Sequence, residues 1–456
     1  MSNAPVELGT KKIGSLLKEY AIPGIIAMTA SSLYNMVDSI YIGHIPGDGA
    51  LALTALGVCF PLMNLGTAIG TLAGVGISTL TSILLGQKNY TTANKLLPNL
   101  VTLNVVLGGL YTILTLLFMD PLLRFFGATD ATIGFARSYM IVISLGFIVT
   151  HLYFGMNALL RSTGHPERAM VLTLFTVIFN AVLDPLFIFV FGMGVQGAAI
   201  ATVICQAISL AYCIWYFSGD RNIVHFGRRI FGFSWKLART TLGIGMGPFL
   251  MNSAACLVNM FFNQQLLKYG GDYAIGAYGI INRFSFLFFM IVMGINQGMQ
   301  PIASYNFGAR NGMRVRAVYL LSIAWATAVM SVGFIFSEFF PHLACSIFTG
   351  DEEMLGIAVH GMRIINLALP VIGFQIISTN LFQCLGMVKQ SIFLSLSRQL
   401  IFLLPCLYAL PLALNIEGVW LSYPVSDIIA FVVTTVMVVR LIKKLKRIDA
   451  GETELA

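Results

Sequence analysis

The chain has 456 residues, of which 57% are hydrophobic and only 10% are charged. Soluble domains usually carry about a quarter charged residues, so this composition excludes an ordinary soluble protein and predicts an integral membrane protein. The net charge of +8 does not call for a nucleic-acid partner, because anionic lipid at the inner membrane face attracts basic side chains.

Twelve apolar runs follow one another along the chain. A helix needs about 20 apolar residues to cross a bilayer, and barrel strands would show short alternating segments instead. We therefore predict an all-α integral membrane protein with twelve transmembrane helices, at residues 15–40, 51–80, 96–118, 138–158, 170–191, 195–217, 242–267, 274–300, 317–340, 360–383, 395–414 and 417–440.

Basic residues are distributed unequally between the two ends of these helices. With the N-terminus placed inside, 22 of the 27 Lys and Arg residues lie on the cytoplasmic side, among them Arg221, Arg228, Arg229 and Arg398. The others are Arg124, Arg137, Lys268 and Arg363 outside and Arg283 within a span. By the positive-inside rule, we expect a multi-pass plasma-membrane protein with both termini in the cytoplasm.

The chain repeats itself at a spacing of 222 residues. The sequence GQKN at 86–89 recurs as GARN at 308–311, and six glycines coincide at this spacing, where chance predicts about one. Gly49, Gly57, Gly76, Gly86, Gly134 and Gly164 fall on Gly271, Gly279, Gly298, Gly308, Gly356 and Gly386. A duplicated membrane domain is typical of transporters. We predict two six-helix lobes (1–217 and 242–440), a cytoplasmic linker (218–241) that lets the lobes move, and a basic cytoplasmic tail (441–456).

A few ionisable side chains lie within the predicted spans, where they are costly and therefore indicate function. Asp38 lies in the first span, while Asn180 and Asp184, four residues apart, share one face of the fifth. Alternatively, each carboxylate lies near a helix end and reaches the lipid headgroups. Asp427, midway along the twelfth span, is a candidate to face a cleft between the lobes, with a structural role as the equal alternative. For Arg283 in the eighth span, a structural role is favoured over one in the cleft, with either a carboxylate or backbone carbonyls as its partner.

The repeat does not reproduce this polar group. At the spacing of 222, Asp38 falls on Met260, with Asn259 beside it. Asn180 falls on Phe402, Asp184 on Cys406 and, at a local spacing of 221, Thr202 on Tyr423. We therefore predict one ion-coupling site, in the N-terminal lobe.

These motifs resemble those of the multidrug and toxic compound extrusion (MATE) transporters, over about residues 12–447. The resemblance rests on Pro23, on Asp38 in the first span, on the Asn180-x-x-x-Asp184-Pro185 pattern in the fifth, on LRSTG at 160–164 and on GAAIAT at 197–202. It is strongest to the DinF/MepA-like prokaryotic branch. The acidic residue that the NorM-like branch carries in the seventh span has no counterpart here, so a cation site of that type is not expected.

The resemblance implies a V-shaped fold whose central cleft opens alternately to each side, with Pro23 as a hinge. It also implies that Asp38 and Asp184 couple transport to a cation, helped by Asn180, Thr202, Asn157 and Tyr34. The expected function is export of amphipathic organic cations by a cation-coupled antiporter, with the proton preferred over sodium. Two buried carboxylates disfavour double ionisation, but carboxylate and neutral oxygens also suit sodium.

Other classes of protein fit the sequence less well. No convergent catalytic set and no phosphate-binding GxxxxGK[ST] loop occurs, so neither an enzyme nor an ATP-driven pump is predicted. No cofactor is expected beyond the coupling ion, no metal beyond sodium, and no partner beyond membrane lipid and substrate, so we predict a monomer. A lipid or lipid-linked-sugar flippase of the same architecture is the alternative.

Overall fold

The computed structural model describes residues 4–219, 222–227 and 230–449. Within this part the chain is almost entirely helical, and no strand occurs in it. Three basic residues predicted on the cytoplasmic side (Arg221, Arg228 and Arg229) and the end of the predicted tail (450–456) lie outside the described residues.

The helices follow the predicted spans closely. They are α1 (Ala4–Thr10), α2 (Ile13–Gly43), α3 (Gly49–Gly86), α4 (Tyr90–Leu117), α5 (Met119–Phe125), α6 (Ile133–Ser162), α7 (Pro166–Pro185), α8 (Gly194–Phe217), α9 (Trp235–Gly308), α10 (Gly312–Phe339), α11 (Pro341–Ser346), α12 (Glu352–Ile365), α13 (Leu369–Cys384), α14 (Val388–Leu396) and α15 (Leu404–Asp449). A 3-10 turn covers Asn366–Ala368, and two π-helical turns cover Leu186–Val190 and Ser397–Leu403.

Nine helical stretches in the described chain are long and apolar enough to cross a membrane. Two of them, Trp235–Gly308 and Val388–Arg447, each contain two of the predicted runs. Gly271 (φ 69°) and Asn415 (φ 51°) leave helical geometry between those runs. The first predicted run lies in α2, whose 31 residues are about 46 Å long at the α-helical rise. All twelve predicted spans therefore coincide with helices.

The repeated sequence motif forms the same turn twice. Lys88 (φ 59°) and Arg310 (φ 58°) both adopt the left-handed conformation, and each is followed by an asparagine that caps the next helix. Asn89 Oδ1 accepts a hydrogen bond from the backbone of Thr92, and Asn311 Oδ1 accepts one from Arg314. An N-cap of this kind satisfies one of the unpaired N–H groups of the first helical turn, which explains why the asparagine appears in both copies.

The chain divides into two compact units. Unit 1 contains residues 4–10 and Thr29–Phe249, and unit 2 contains Lys11–Met28 and residues 250–449. Helices α2 and α9 therefore each contribute to both units. The predicted lobe boundaries at 217 and 242 did not anticipate that residues 11–28 pack with the second half of the chain.

Unit 1 is centred on α3, which packs most extensively against α6, while α6 also packs against α8. A buried cluster that includes Ile42, Tyr139 and Phe147 holds these helices together. The approach of α3 to the first turns of α9 is close enough to need glycine. A Cβ atom at Gly76 would overlap the backbone carbonyl of Thr241.

Unit 2 is built around α13, which packs against α10 and α15, while α10 and α15 also contact each other. Its buried cluster is rich in large side chains, among them Phe262, Tyr278 and Trp420. Gly298, the repeat partner of Gly76, again marks a close backbone approach. A Cβ atom at Gly298 would lie 2.5 Å from the backbone nitrogen of Ala21 in α2, so the same crossing occurs in both units.

The described part of the predicted linker is attached to unit 1. The backbone N–H groups of His225, Gly232 and Ser234 donate to side chains of α4, at 3.1, 3.3 and 3.1 Å. Helix α9 then begins at Trp235, before the predicted boundary at 242. The bonded segment follows the surface of α4 instead of forming a loose connection.

Candidate functional site

Three helices of unit 1 bring four predicted site residues together. Asp38 comes from α2, Asn180 and Asp184 come from successive turns of α7, and Thr202 comes from α8. All three acidic or amide side chains are withdrawn from solvent, with exposed fractions of 6% for Asp38, 1% for Asn180 and 0% for Asp184. Deep burial of both carboxylates argues against the alternative that they reach the headgroups.

Thr202 is the centre of the hydrogen bonds in this group. Its Oγ1 lies 2.8 Å from the Tyr34 hydroxyl and accepts a hydrogen bond from Asn180 Nδ2 at 3.3 Å. These bonds join α2, α7 and α8 through neutral side chains. The carboxylates are thus held next to a preformed set of hydroxyl and amide oxygens.

The two carboxyl groups are direct neighbours without an internal counter-charge. Asp38 interacts with Asp184, which also contacts Asn180. No ion pair joins either carboxylate to a basic side chain in the described chain. Oδ1 of Asp38, Oδ1 of Asn180 and both oxygens of Asp184 are buried and accept no hydrogen bond. Since unpaired buried acceptors are costly, this arrangement favours a bound proton or cation.

Two further residues of the site were not predicted. Tyr139 of α6 is 1% exposed and lies near Asp38, Tyr34 and Asp184. Cys205 lies near Asp184 and Tyr34. Cys205 follows Thr202 by three residues, so helical spacing alone would have placed both on one face. Tyr139 carries no such signal, because aromatic residues are common throughout the spans.

Asn157 lies apart from this group. Its Nδ2 donates to the backbone carbonyl of Ala169 at 3.0 Å, and its Oδ1 accepts a hydrogen bond from Arg161. The bond to Ala169 joins the end of α6 to the beginning of α7, and the bond to Arg161 lies within α6. No described contact links Asn157 to the Asp38–Asp184 pair.

Pro23 and Arg283 have no contact with the carboxylate pair either. Pro23 lies inside α2, within the segment Lys11–Met28 that belongs to unit 2, and is buried. Arg283 of α9 is exposed and forms no ion pair among the residues that the structure covers. Pairing with a carboxylate, one of the two structural roles predicted for Arg283, is therefore not observed among the described residues.

Asp427 lies in unit 2 and is already paired. Its Oδ1 accepts a hydrogen bond from Arg398 Nε at 2.7 Å, and the carboxylate side chain is only 2% exposed. Gln375 Nε2 donates to the backbone carbonyl of Asp427 at 2.5 Å. The sequence assigned Arg398 to the cytoplasmic side without a partner, and in the structure its guanidinium group pairs with this buried carboxylate.

Unit 2 also contains a neutral hydrogen-bond network at the repeat-related positions. The Tyr278 hydroxyl donates to Asn259 Oδ1 at 3.0 Å and lies 2.9 Å from the Tyr423 hydroxyl. Tyr423 is the counterpart of Thr202, and Asn259 lies beside the counterpart of Asp38. This network contains no carboxylate.

Among the described residues, no three His, Cys, Asp or Glu side chains come together as a metal site. A sodium ion at Asp38 and Asp184 would therefore take its other ligands from neutral oxygens, such as those of Asn180, Thr202 and water. Hard cations accept oxygen ligands of this kind. The group has the chemistry to hold either a proton or a sodium ion.

Comparison with known proteins places these features in one family. The family model MatE matches residues 23–186 and 248–409. The multidrug export protein MepA of Staphylococcus aureus (strain NCTC 8325 / PS 47) is 25% identical over 442 residues, covering 96% of this chain and 95% of MepA. MepA of Staphylococcus saprophyticus is 23% identical over 436 residues, with the same coverage.

Solved structures share the fold. A MATE protein crystallised in a bent conformation is 24% identical, with a TM-score of 0.92 over 99% of this chain and 100% of that chain. A transporter of the MOP superfamily from Pyrococcus furiosus, whose binding pocket is described as having a reverse polarity that suggests a different function, is 24% identical. It matches with a TM-score of 0.90 over 98% of this chain and 99% of that chain. The predicted fold class, all-α with twelve transmembrane helices in two lobes, is confirmed.

Proposed function

Because the chain belongs to the MatE family of membrane transporters, we propose that it is an antiporter that exports amphipathic organic cations in exchange for a proton or a sodium ion. The family consists of transporters, so the chain is not an enzyme and needs no cofactor for catalysis. The relatives named multidrug export protein support small-molecule drugs as the substrate class.

The observation that carries this proposal is the uncompensated pair Asp38–Asp184. Two neighbouring carboxylates in a low-dielectric site repel each other and disfavour double ionisation. An added proton or cation would give a partner to some of the four buried acceptor atoms that lack hydrogen bonds. Exchange of that cation with the surroundings supplies the free energy for transport.

The proposed cycle is alternating access. When the site faces outward it loads a cation, the negative charge that attracts the drug is lost, and the drug leaves. When the site faces inward the cation dissociates and the carboxylates attract the next drug molecule. The predicted V-shaped cleft and a hinge at Pro23, five residues before the boundary between Met28 and Thr29, are part of this proposal, because proline removes a helical hydrogen bond.

We prefer the proton as the coupling ion. A proton needs one carboxylate oxygen, whereas a dehydrated sodium ion needs several oxygen ligands in a suitable shell. Thr202 already accepts the hydrogen bond from Asn180, which leaves fewer neutral oxygens free to bind sodium. Asn157 keeps a supporting role only if its bonds to Ala169 and Arg161 rearrange during the cycle.

We further propose a monomeric protein in the plasma membrane with both termini in the cytoplasm, on the strength of the uneven distribution of Lys and Arg. A flippase for lipids or lipid-linked sugars is supported less. A cleft for an anionic lipid needs several basic side chains deep in the spans. Arg283 is exposed in the eighth predicted span, whereas Arg398 is paired with Asp427.

The test uses purified protein in proteoliposomes with ethidium as the cationic probe. Dye movement is followed by fluorescence while a pH gradient and a sodium gradient are imposed separately. We expect the pH gradient to drive dye transport, and we expect Asp38→Asn and Asp184→Asn to reduce it to the passive leak while the folded yield stays normal. Asp130→Asn is the matched control, since this carboxylate lies in an exposed pair with Arg124.

Three outcomes would contradict parts of this proposal. Dye movement driven by sodium alone at fixed pH would replace the proton as the coupling ion. Normal transport by both variants would move the coupling site elsewhere. Transfer of a fluorescent lipid between leaflets, without any dye transport, would favour the flippase.

A further inference from the structure

A deeply buried ion pair lies in unit 2, at a place that the proposed cycle does not use. Arg398 Nε lies 2.7 Å from Asp427 Oδ1, with side-chain exposures of 20% and 2%. Other ion pairs between arginine and aspartate, such as Arg316–Asp449, are more exposed. A pair buried this deeply within two transmembrane segments requires an explanation.

The surrounding elements hold the arginine in position. Arg398 lies on the π-helical turn Ser397–Leu403, a helix variant that is frequent at functional sites. Its guanidinium carbon lies 5.9 Å from the centre of the Phe289 ring. The backbone carbonyl of Asp427 accepts a hydrogen bond from the Gln375 side chain, which holds the aspartate in position.

The groups around the carboxylate of Asp427 are otherwise neutral. Tyr423, one turn earlier on α15, interacts with both Asp427 and Arg398, and its hydroxyl contacts Tyr278. Asp427 Oδ2 is buried and accepts no hydrogen bond. Arg398 is therefore the one cation that the described contacts provide to this carboxylate.

The buried carboxylates of the two units differ in their partners. Asp38 and Asp184 of unit 1 make no ion pair with a basic side chain among the described residues, whereas Asp427 of unit 2 is paired with Arg398. We propose that Arg398 is a built-in cation of unit 2, which permanently occupies the carboxylate of Asp427 and thereby confines cation exchange to Asp38 and Asp184. The second half of this statement rests on the proposed function.

Physical chemistry supports a permanent occupant. The guanidinium group of arginine stays protonated in proteins, so this pair cannot discharge its cation during a transport cycle. Removal of one partner from a buried pair leaves an uncompensated charge, which is strongly unfavourable. Asp427 without Arg398 would therefore take up a proton or a cation from solution, as we propose for Asp38 and Asp184.

The first experiment is independent of transport and uses infrared spectroscopy of the purified protein at neutral pH. The carbonyl stretch of protonated carboxyl groups is measured in the wild type, Arg398→Gln, Asp427→Asn, the double variant and Arg398→Lys. We expect Arg398→Gln in sodium-free buffer to gain the signal of one protonated carboxyl group. The double variant and Arg398→Lys should lack this gain, and Asp427→Asn should remove no signal from the wild type.

The wild-type comparison keeps the proposal falsifiable even if Arg398→Gln fails to fold. Loss of a protonated-carboxyl signal in Asp427→Asn would show that Arg398 does not neutralise Asp427, and would overturn the proposal. Folded Arg398→Gln without any new signal, with or without sodium, would overturn it too.

The second experiment counts the cations exchanged per ethidium molecule, from the gradients at which dye flux reverses in proteoliposomes. We expect Arg398→Gln to exchange one cation more than the wild type, and the double variant to return to the wild-type number. An unchanged count in Arg398→Gln would refute the effect on coupling. Absence of any cation-driven flux in the wild type would refute the proposed antiport, while the infrared result would still decide the pairing of Arg398 with Asp427.

Discussion

The two units share the same turns and helix caps but differ in their buried charged side chains. The turn of residues 86–89 and that of residues 308–311 have the same left-handed residue and the same asparagine cap. In contrast, the Asp38–Asp184 pair of unit 1 has no carboxylate counterpart in the Asn259–Tyr278–Tyr423 network of unit 2. The turns and caps on which the backbone depends are the same in both copies of the repeat, whereas the buried polar side chains differ.

The proposed function assigns a distinct task to each unit on the basis of this difference. In unit 1 the buried carboxylates of Asp38 and Asp184 make no ion pair among the described residues, which supports the proposed ion exchange there, whereas in unit 2 the buried carboxylate of Asp427 is paired with Arg398. We therefore expect substitutions at repeat-related positions to have equal effects where the two copies share the same backbone geometry. Where the side chains differ, we expect the paired substitutions to have unequal effects.

The largest effect is expected at the repeat-related glycines Gly76 and Gly298. A leucine at either position would drive its side chain into backbone of the neighbouring helix, and backbone shifts of this kind cost about 1–3 kcal/mol or more. We expect Gly76→Leu and Gly298→Leu both to lose most of the folded protein, measured as the monodisperse fraction in size-exclusion chromatography. The matched controls are Gly57→Leu and Gly279→Leu, since no atom lies within 4 Å of a Cβ there. A strong effect in one unit but not in the other would break the structural equivalence.

A smaller effect is expected where the hydroxyl of Thr202 and that of its counterpart Tyr423 are removed. Thr202→Val deletes the partner of both Tyr34 and Asn180, which costs about 1–2 kcal/mol for two hydrogen bonds. We expect the same free energy to be added to the rate-limiting barrier of the cycle, which corresponds to about a tenfold loss of transport rate. Tyr423→Phe should change the rate by less than about twofold, because the carboxylate nearest to Tyr423, that of Asp427, stays paired with Arg398.

The measurement is the initial rate of ethidium transport at saturating pH gradient. Thr67→Val serves as the control, since this hydroxyl only donates to the Met63 carbonyl of its own helix. Equal losses in Thr202→Val and Tyr423→Phe would contradict the assignment of ion exchange to unit 1.

The smallest effect concerns the helix starts at His165 and Met387, which are repeat partners and cap α7 and α14. His165 lies outside the membrane-spanning segment, and burial together with nearby Arg168 lowers its pKa. The folded protein therefore binds fewer protons there than the unfolded chain, so this contribution to stability is complete above the ordinary histidine pKa and declines as the pH falls below it. The melting temperature of the wild type should drop by roughly 1–2 °C more than that of His165→Gln on acidification.

Thermal unfolding is followed in detergent between about pH 7 and about pH 5. Met387→Gln is the control, because its side chain carries no proton in this range. Identical pH profiles of the melting temperature for the wild type and His165→Gln would show that His165 does not make unit 1 more sensitive to acid than unit 2.

The sequence allowed the spans and most of the site to be predicted, for physical reasons. Long apolar runs reveal membrane helices, and carboxylates within such runs are too costly to be incidental, which identified Asp38 and Asp184. The position of Asn157 could not be predicted from the sequence, because its bond to Ala169 depends on how the ends of α6 and α7 meet. Arg398 was assigned to the cytoplasmic side because it lies at the beginning of a span. Its contact with Asp427 depends on the π-helical turn, which leaves no pattern in the sequence.

The shared helices α2 and α9 have a consequence for the synthesis of the protein. Residues 11–28 are made first, yet the glycines on which they pack, such as Gly298, emerge about 270 residues later, and such distant contacts delay folding. Conversely, unit 1 stays incomplete until residues 235–249 at the start of α9 have been translated. A ribosome that has released only the first six spans has therefore produced no finished unit, and halves expressed as separate chains must exchange these segments before either is complete.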